Sequence, residues 1–187
     1  RLRCDWSSDV CSSDLSKTTL TSNSFLIDMN PLLINFDTPY NTAPFSKIKN
    51  EHFEPAIKET ISLSKKEIDK LTRLNEEPTF QNTIEGLEFS GMQLKRITSI
   101  FFNLNSAETN DEIQKIAQNI SPLLTDFAND IRLNKQLFER VKIIYNQKDR
   151  LDLSIEQTTL LDNQYKMFVR NGANLNKKDK EKLRGID

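Results

Sequence analysis

The stretch PTFQNTIEGLEFSGMQLKRITSIFFNL, Pro78 to Leu104, constrains the fold of this chain more than any other part of it. Apolar side chains recur at Ile84, Leu87, Leu94, Ile97, Phe101 and Leu104, with small Gly91 in the gap, which is the three-and-four spacing of one helix face. Such a face must be buried. Phe80, Phe89 and Phe102 lie off the stripe, so neighbours are expected on more than one side, as around a central helix. Gly86 and Gly91 each cost an isolated helix about 1 kcal/mol relative to alanine, and read as places where a neighbouring backbone comes close.

Composition points the same way. Glycine (4) and proline (6) are scarce among 187 residues, which suits helices and starves an all-β fold of turn residues. The expected fold class is therefore all-α, a multi-helix array. Lys and Arg number 26 against 27 Asp and Glu, so no net field selects nucleic acid or an anionic membrane as a partner. No run of about 18 apolar residues is present to span a bilayer.

The first fifteen residues, RLRCDWSSDVCSSDL, hold both cysteines (Cys4, Cys11) and the single tryptophan (Trp6), yet show no amphipathic period. DWSSDVCSSDL resembles the in-frame translation of a sequencing-adapter oligonucleotide, so residues 1–15 are set aside from fold reasoning, and no disulfide or metal clip is inferred from the cysteines. That removes two Arg and three Asp and leaves a formally neutral chain without cysteine, which fits a reducing compartment, the cytoplasm. Residues 16–28 are polar, lack the apolar core of a secretory signal, and read as a disordered arm or untranslated read-through ahead of Met29.

Residues 29–50 carry Pro31, Pro39 and Pro44 and are expected to form an extended strap pinned by Phe36, Tyr40 and Phe45. Residues 51–187 form the helical domain. Its first helix begins near His52 to Pro55 and buries Phe53, Ile57, Ile61, Ser64, Ile68 and Leu71, leaving Lys65, Lys66, Asp69 and Lys70 in solvent. Thr109 and Glu112 have capping-box spacing ahead of the stripe Ile113, Ile116, Ala117, Ile120, Leu123, Leu124, Phe127 and Ile131, which Pro122 should kink. Asn134 caps the next helix, with Leu137, Phe138, Val141, Ile144 and Tyr145 inward. Ser154 and Gln157 form a second box before a helix whose buried candidates are Leu161, Tyr165, Phe168 and Val169, closed by Asn171 and Gly172. A last helix opens after Asn176 and buries only Leu183 and Ile186 before Asp187, so the domain is expected to be truncated at its C-terminus.

A catalytic constellation is not found. The sequence lacks HExxH, GxSxG, GxxxxGK[ST] and GxGxxG. His52 is the single histidine and reads as a capping or packing residue, since one histidine without cysteine cannot build a zinc site. Glu85 with Glu88 and Asp126 with Asp130 are spaced for one helix face each, but the Glu-x-x-His partners of a di-metal bundle are missing, so they read as solvated faces. No catalytic, cofactor-binding or metal residue is assigned. A non-enzymatic helical scaffold is compatible with all of these observations.

Resemblance adds what spacing cannot. FQNTIEGLEFSGMQLKRITSIFFN (Phe80 to Asn103), AETNDEIQKI (Ala107 to Ile116), NDIRLNKQLFERV (Asn129 to Val141), FVRNGANL (Phe168 to Leu175) and the opening MNPLLINFDTPYNTAPFSKIKNEHFEPAI resemble the N-terminal region of bacterial peptidyl-dipeptidases. These are dipeptidyl carboxypeptidases of the thimet oligopeptidase and oligopeptidase A family of zinc metallopeptidases. The LExSG, FFN and FVRNGANL pieces favour that branch over the oligopeptidases. The resemblance implies a two-lobed, all-helical enzyme around a narrow channel that admits short peptides and releases dipeptides from their free C-terminus. It also implies one zinc on an HExxH helix plus a later Glu, the first Glu activating a metal-bound water. Those groups belong to a C-terminal catalytic domain of the same chain, so the expected piece here is channel wall, zinc-free and inactive alone.

Overall fold

The computed structural model describes residues 30–185, and every regular element among them is helical. Residues 1–29, with the expectations of adapter translation, read-through arm and a start at Met29, lie outside the described residues, as does Ile186. The elements are α1 (Phe53–Thr72), a π-helical turn (Phe80–Glu85) running into the single turn α2 (Gly86–Phe89), then α3 (Met92–Ala107), α4 (Asp111–Arg132), α5 (Lys135–Asn146), α6 (Ile155–Arg170) and α7 (Lys177–Arg184).

The long stretch Pro78 to Leu104 is thus not one helix. Ser90 turns extended (ψ 140°) and Gly91 is left-handed (φ 69°), a conformation that favours glycine because no Cβ meets the neighbouring carbonyl. The Gly91 amide, freed from the helix ladder, donates to Glu67 Oε2 of α1 at 2.9 Å. Gly91 therefore serves a backbone angle rather than a close backbone neighbour, and at Gly86 a Cβ would meet the Leu71 side chain at 2.7 Å, again not backbone.

The break divides the stripe between two cores. Leu94, Ile97 and Phe101 of α3 pack with Phe53, Ile57 and Ile61 of α1 and Ile113, Ile116 and Ile120 of α4. Ile84 and Leu87 pack with Phe80, with Leu137, Phe138, Val141 and Ile144 of α5, and with Leu161 and Phe168 of α6. The helix that spans both is α1, which gives Phe53 to Ile61 to one core and Ile68 to the other. It is the central element. Off the stripe, Phe80 is buried as expected, but Phe89 and Phe102 are 64% and 39% exposed, so they are not covered by the described residues. Val169, expected inside, is half-exposed.

The helix ends follow from side-chain chemistry. Asn134, Ser154 and Asn176 accept from the amides of Leu137, Gln157 and Asp179, and the Gln157 side chain accepts in return from the Ser154 amide. At the start of α4 the cap is Asn110, which accepts from Ile113, so the expected Thr109–Glu112 box does not form. Asparagine one residue later offers an acceptor of equal reach, and the chain takes it. α4 runs unbroken through Pro122. α6 closes with the Ala173 amide on Phe168 O and the Gly172 amide on Val169 O, a Schellman pair around left-handed Gly172.

Of the three aromatics expected to pin the N-terminal segment, Phe36 does so and Tyr40 and Phe45 do not. Tyr40 (98% exposed) and Phe45 (58%) hang free, while Leu32 is buried and Phe36 lies under the Arg96 guanidinium at 4.3 Å. Arg96 and Gln93 of α3 donate to the carbonyls of Leu32, Ile34 and Leu33, and Asn30 donates to the carbonyl of His52. Extended backbone on a helical surface needs such external partners because it makes no ladder of its own.

Arg140 of α5 is buried and has no carboxylate partner among the described residues. Its guanidinium donates to the carbonyls of Leu74 and Glu76 and to the side chains of Asn82 and Thr83, all at 3.1–3.2 Å. It clamps the α1–π connection onto α5. Arg140→Leu should cost about 2–4 kcal/mol by stranding those acceptors, against about 1 kcal/mol for Thr83→Val, as read by urea denaturation. Ile97→Asp and Leu94→Asp should abolish cooperative thermal unfolding, whereas Lys95→Ala should leave the melting temperature unchanged.

Candidate functional site

The polar side chains that sequence reasoning weighed as chemistry are occupied structurally. His52 Nδ1 accepts the Lys49 amide at 3.0 Å, so the histidine caps the entrance to α1. Glu88 accepts from Gln164 of α6. Glu54 accepts from Lys58 and Asn119, and the hydrogen bond from Lys58 is the main reason its carboxyl lies below the usual range. No three His, Cys, Asp or Glu side chains come together in a metal-holding group among the described residues. Those residues therefore do not fit a zinc ion.

Asp130 departs from the solvated face expected for it. It receives Lys65 Nζ of α1 at 2.9 Å and Arg184 Nη1 of α7 at 3.0 Å, tying three helices together. Partial burial pushes its pKa up, but the hydrogen bonds and charges of Lys65 and Arg184 outweigh that and leave it below the ordinary value. Its side chain is 41% exposed, so solvent screens most of the gain.

A groove of about 850 Å³ is open between α3 and α4. Leu94, Phe102, Leu124, Phe127 and Ile131 form its apolar wall, with Ser90 and Gly91 at one end. Leu124 and Phe127 also back the first core, so the groove floor is rigid packing rather than a loop. The stripe of α4 read from the sequence as one buried face is thus shared: Ile113, Ile116 and Ile120 are inside, while Leu124, Phe127 and Ile131 are only partly covered. The signal for this was in the sequence, in a stripe longer and wider than one neighbouring helix can cover.

No protein-family model matches the chain. Individual proteins do. Dipeptidyl carboxypeptidase of Escherichia coli (strain K12) is 39% identical over 159 residues, 85% of this chain and 23% of the relative. Oligopeptidase A of Haemophilus influenzae is 28% identical over 155 residues, 82% of this chain and 22% of the relative. Thimet-like oligopeptidase of Dictyostelium discoideum is 25% identical over 157 residues, with the same shares. The chain is homologous to this group of peptidases. Its identity to the dipeptidyl carboxypeptidase exceeds its identity to either oligopeptidase, in keeping with the LExSG, FFN and FVRNGANL pieces. It spans about a quarter of the length of the curated relatives it matches.

Asp130→Asn tests the three-helix ion pairing. A carboxyl held below its ordinary value contributes stability that is complete above about pH 3.9 and is lost as pH falls through the folded value. The variant should be less stable than wild type by under about 1 kcal/mol at pH 7, with the difference closing below about pH 4 in thermal melts.

Proposed function

We propose that this chain is the N-terminal helical part of a peptidyl-dipeptidase, a zinc metallopeptidase that releases dipeptides from the free C-terminus of short peptides. The observation that carries the reading is the 39% identity to a dipeptidyl carboxypeptidase across 85% of the chain, which runs through both cores rather than through one motif. Zinc, an HExxH helix and the peptide-cleaving groups belong, in this reading, to a catalytic domain elsewhere in the same polypeptide. The residues in hand supply scaffold and a wall of the peptide channel. Short peptides and that catalytic domain are its partners, with no nucleic acid or membrane, and the cytoplasm is its compartment. Among the described residues no helix is long and apolar enough to cross a membrane.

The second reading, a helical scaffold without enzymatic activity, is compatible with the same caps and buried helix faces. Extending the reading frame beyond Asp187 on the same genomic clone separates the two: HExxH is expected downstream, and a complete gene without it would establish the scaffold. Purified residues 29–187 should release no dipeptide from oligopeptides with or without added zinc. Zinc-dependent release by that piece would overturn the assignment of the chemistry to the other domain.

A further inference from the structure

We propose that the α3–α4 groove is the seat of an amphipathic helix from the remainder of the same polypeptide, one that carries carboxylates beside its apolar face. The inference rests on the reading of the chain as one part of a longer peptidase and goes beyond it in naming the surface and the chemistry of its occupant. Two other surface hollows are lined by charges of both signs and are already cross-linked internally, by Lys58 with Glu54 and Asn50 with Glu112 in one, and by Lys180 on the Leu133 carbonyl in the other. The α3–α4 groove differs. Its wall is apolar, and its charged lining residues are Lys95 and Arg132, both basic and neither paired with a carboxylate among the described residues.

Several observations point to the occupant. Two α-helices lying side by side leave a trough whose shape fits a third helix, which inserts side chains at i, i+3, i+4 and i+7. An apolar strip between two cations selects a helix with acidic flanks, because like charges there would be repelled and bare carbons would leave both cations desolvated without a partner. Phe102 and Asn103 line this groove and belong to neither core. The relatives are about four times as long as the matched stretch, so most of each relative lies outside it and must meet it somewhere. Phe89 and Met92, on either side of Ser90–Gly91 in the chain, are also exposed.

The test compares residues 29–187, which contain no cysteine, with the full-length protein from the extended reading frame. Ser99→Cys places a near-isosteric thiol at an exposed groove position, and Ser62→Cys places one on the outer face of α1. Maleimide labelling is read at each thiol by peptide mapping. At the groove thiol of Ser99→Cys, labelling is expected to be at least about tenfold slower in the full-length protein than in the short chain, and at the control thiol of Ser62→Cys unchanged. Lys95→Glu with Arg132→Glu should lower the melting temperature of the full-length protein and not that of the short chain. Equal labelling at the groove in both proteins, equal protection of both thiols, or insensitivity of the full-length protein to the charge reversal would overturn the proposal. So would a short chain that sediments as a dimer with the groove thiol already protected, since the occupant would then be a second copy. A complete gene without HExxH would instead remove the peptidase reading on which the inference rests.

Discussion

Gly91 holds φ at 69°, where a residue with a side chain would be strained by about 1–2 kcal/mol, and its amide is taken up by Glu67 rather than by the helix ladder. That single angle separates the face of Ile84 and Leu87 from the face of Leu94, Ile97 and Phe101 and turns them into different cores. Had the stretch continued as one rod, α5 and α6 could not have closed over its first half while α4 closed over its second. α1 can remain unbroken beneath both because the element above it is divided.

Arg140 makes the second half of the array possible by a different route. The connection from α1 to the π-helical turn exposes carbonyls at Leu74 and Glu76, which would otherwise face a buried helix side without donors. A guanidinium supplies several donors in one plane and tolerates burial better than an ammonium, since its charge is spread and less strongly hydrated. Here it is balanced by carbonyl and side-chain dipoles instead of a counter-ion. Asn82 belongs to the same network: its Oδ1 takes bonds from the Thr79 amide, from Thr83 and from Arg140, so the start of the π-helical turn and the clamp are one unit.

The all-helical class and most helix starts were legible in the sequence because they depend on neighbours in the chain. Asn134, Ser154 with Gln157, and Asn176 cap where their spacing says they should. The misreadings share a cause. The apolar period continues through Gly91, since a turn of the chain there keeps both faces inward, so periodicity alone cannot see the break. The burial of Arg140 leaves no signal in its own helix, because the partners that satisfy it lie in the Leu74–Thr83 connection. Thr109 against Asn110 was a contest between two competent caps one residue apart. Of the aromatics expected to pin the N-terminal segment, Phe36 holds it together with Leu32, while Tyr40 and Phe45 are exposed.

The charged groups of this fold serve its packing. Asp130, Glu54 and Lys148 sit near helix ends and between helix exteriors, where pairing holds them in their charged forms. Acid–base catalysis needs the opposite, a group poised near its operating pH by burial or by a like charge. Glu54 and Asp130, stabilised as anions, and the lone histidine, committed to a cap, make a firm frame. The helices here make a rigid, electrostatically settled frame, and the strip of Phe102, Leu124, Phe127 and Ile131 is a face of it left partly open.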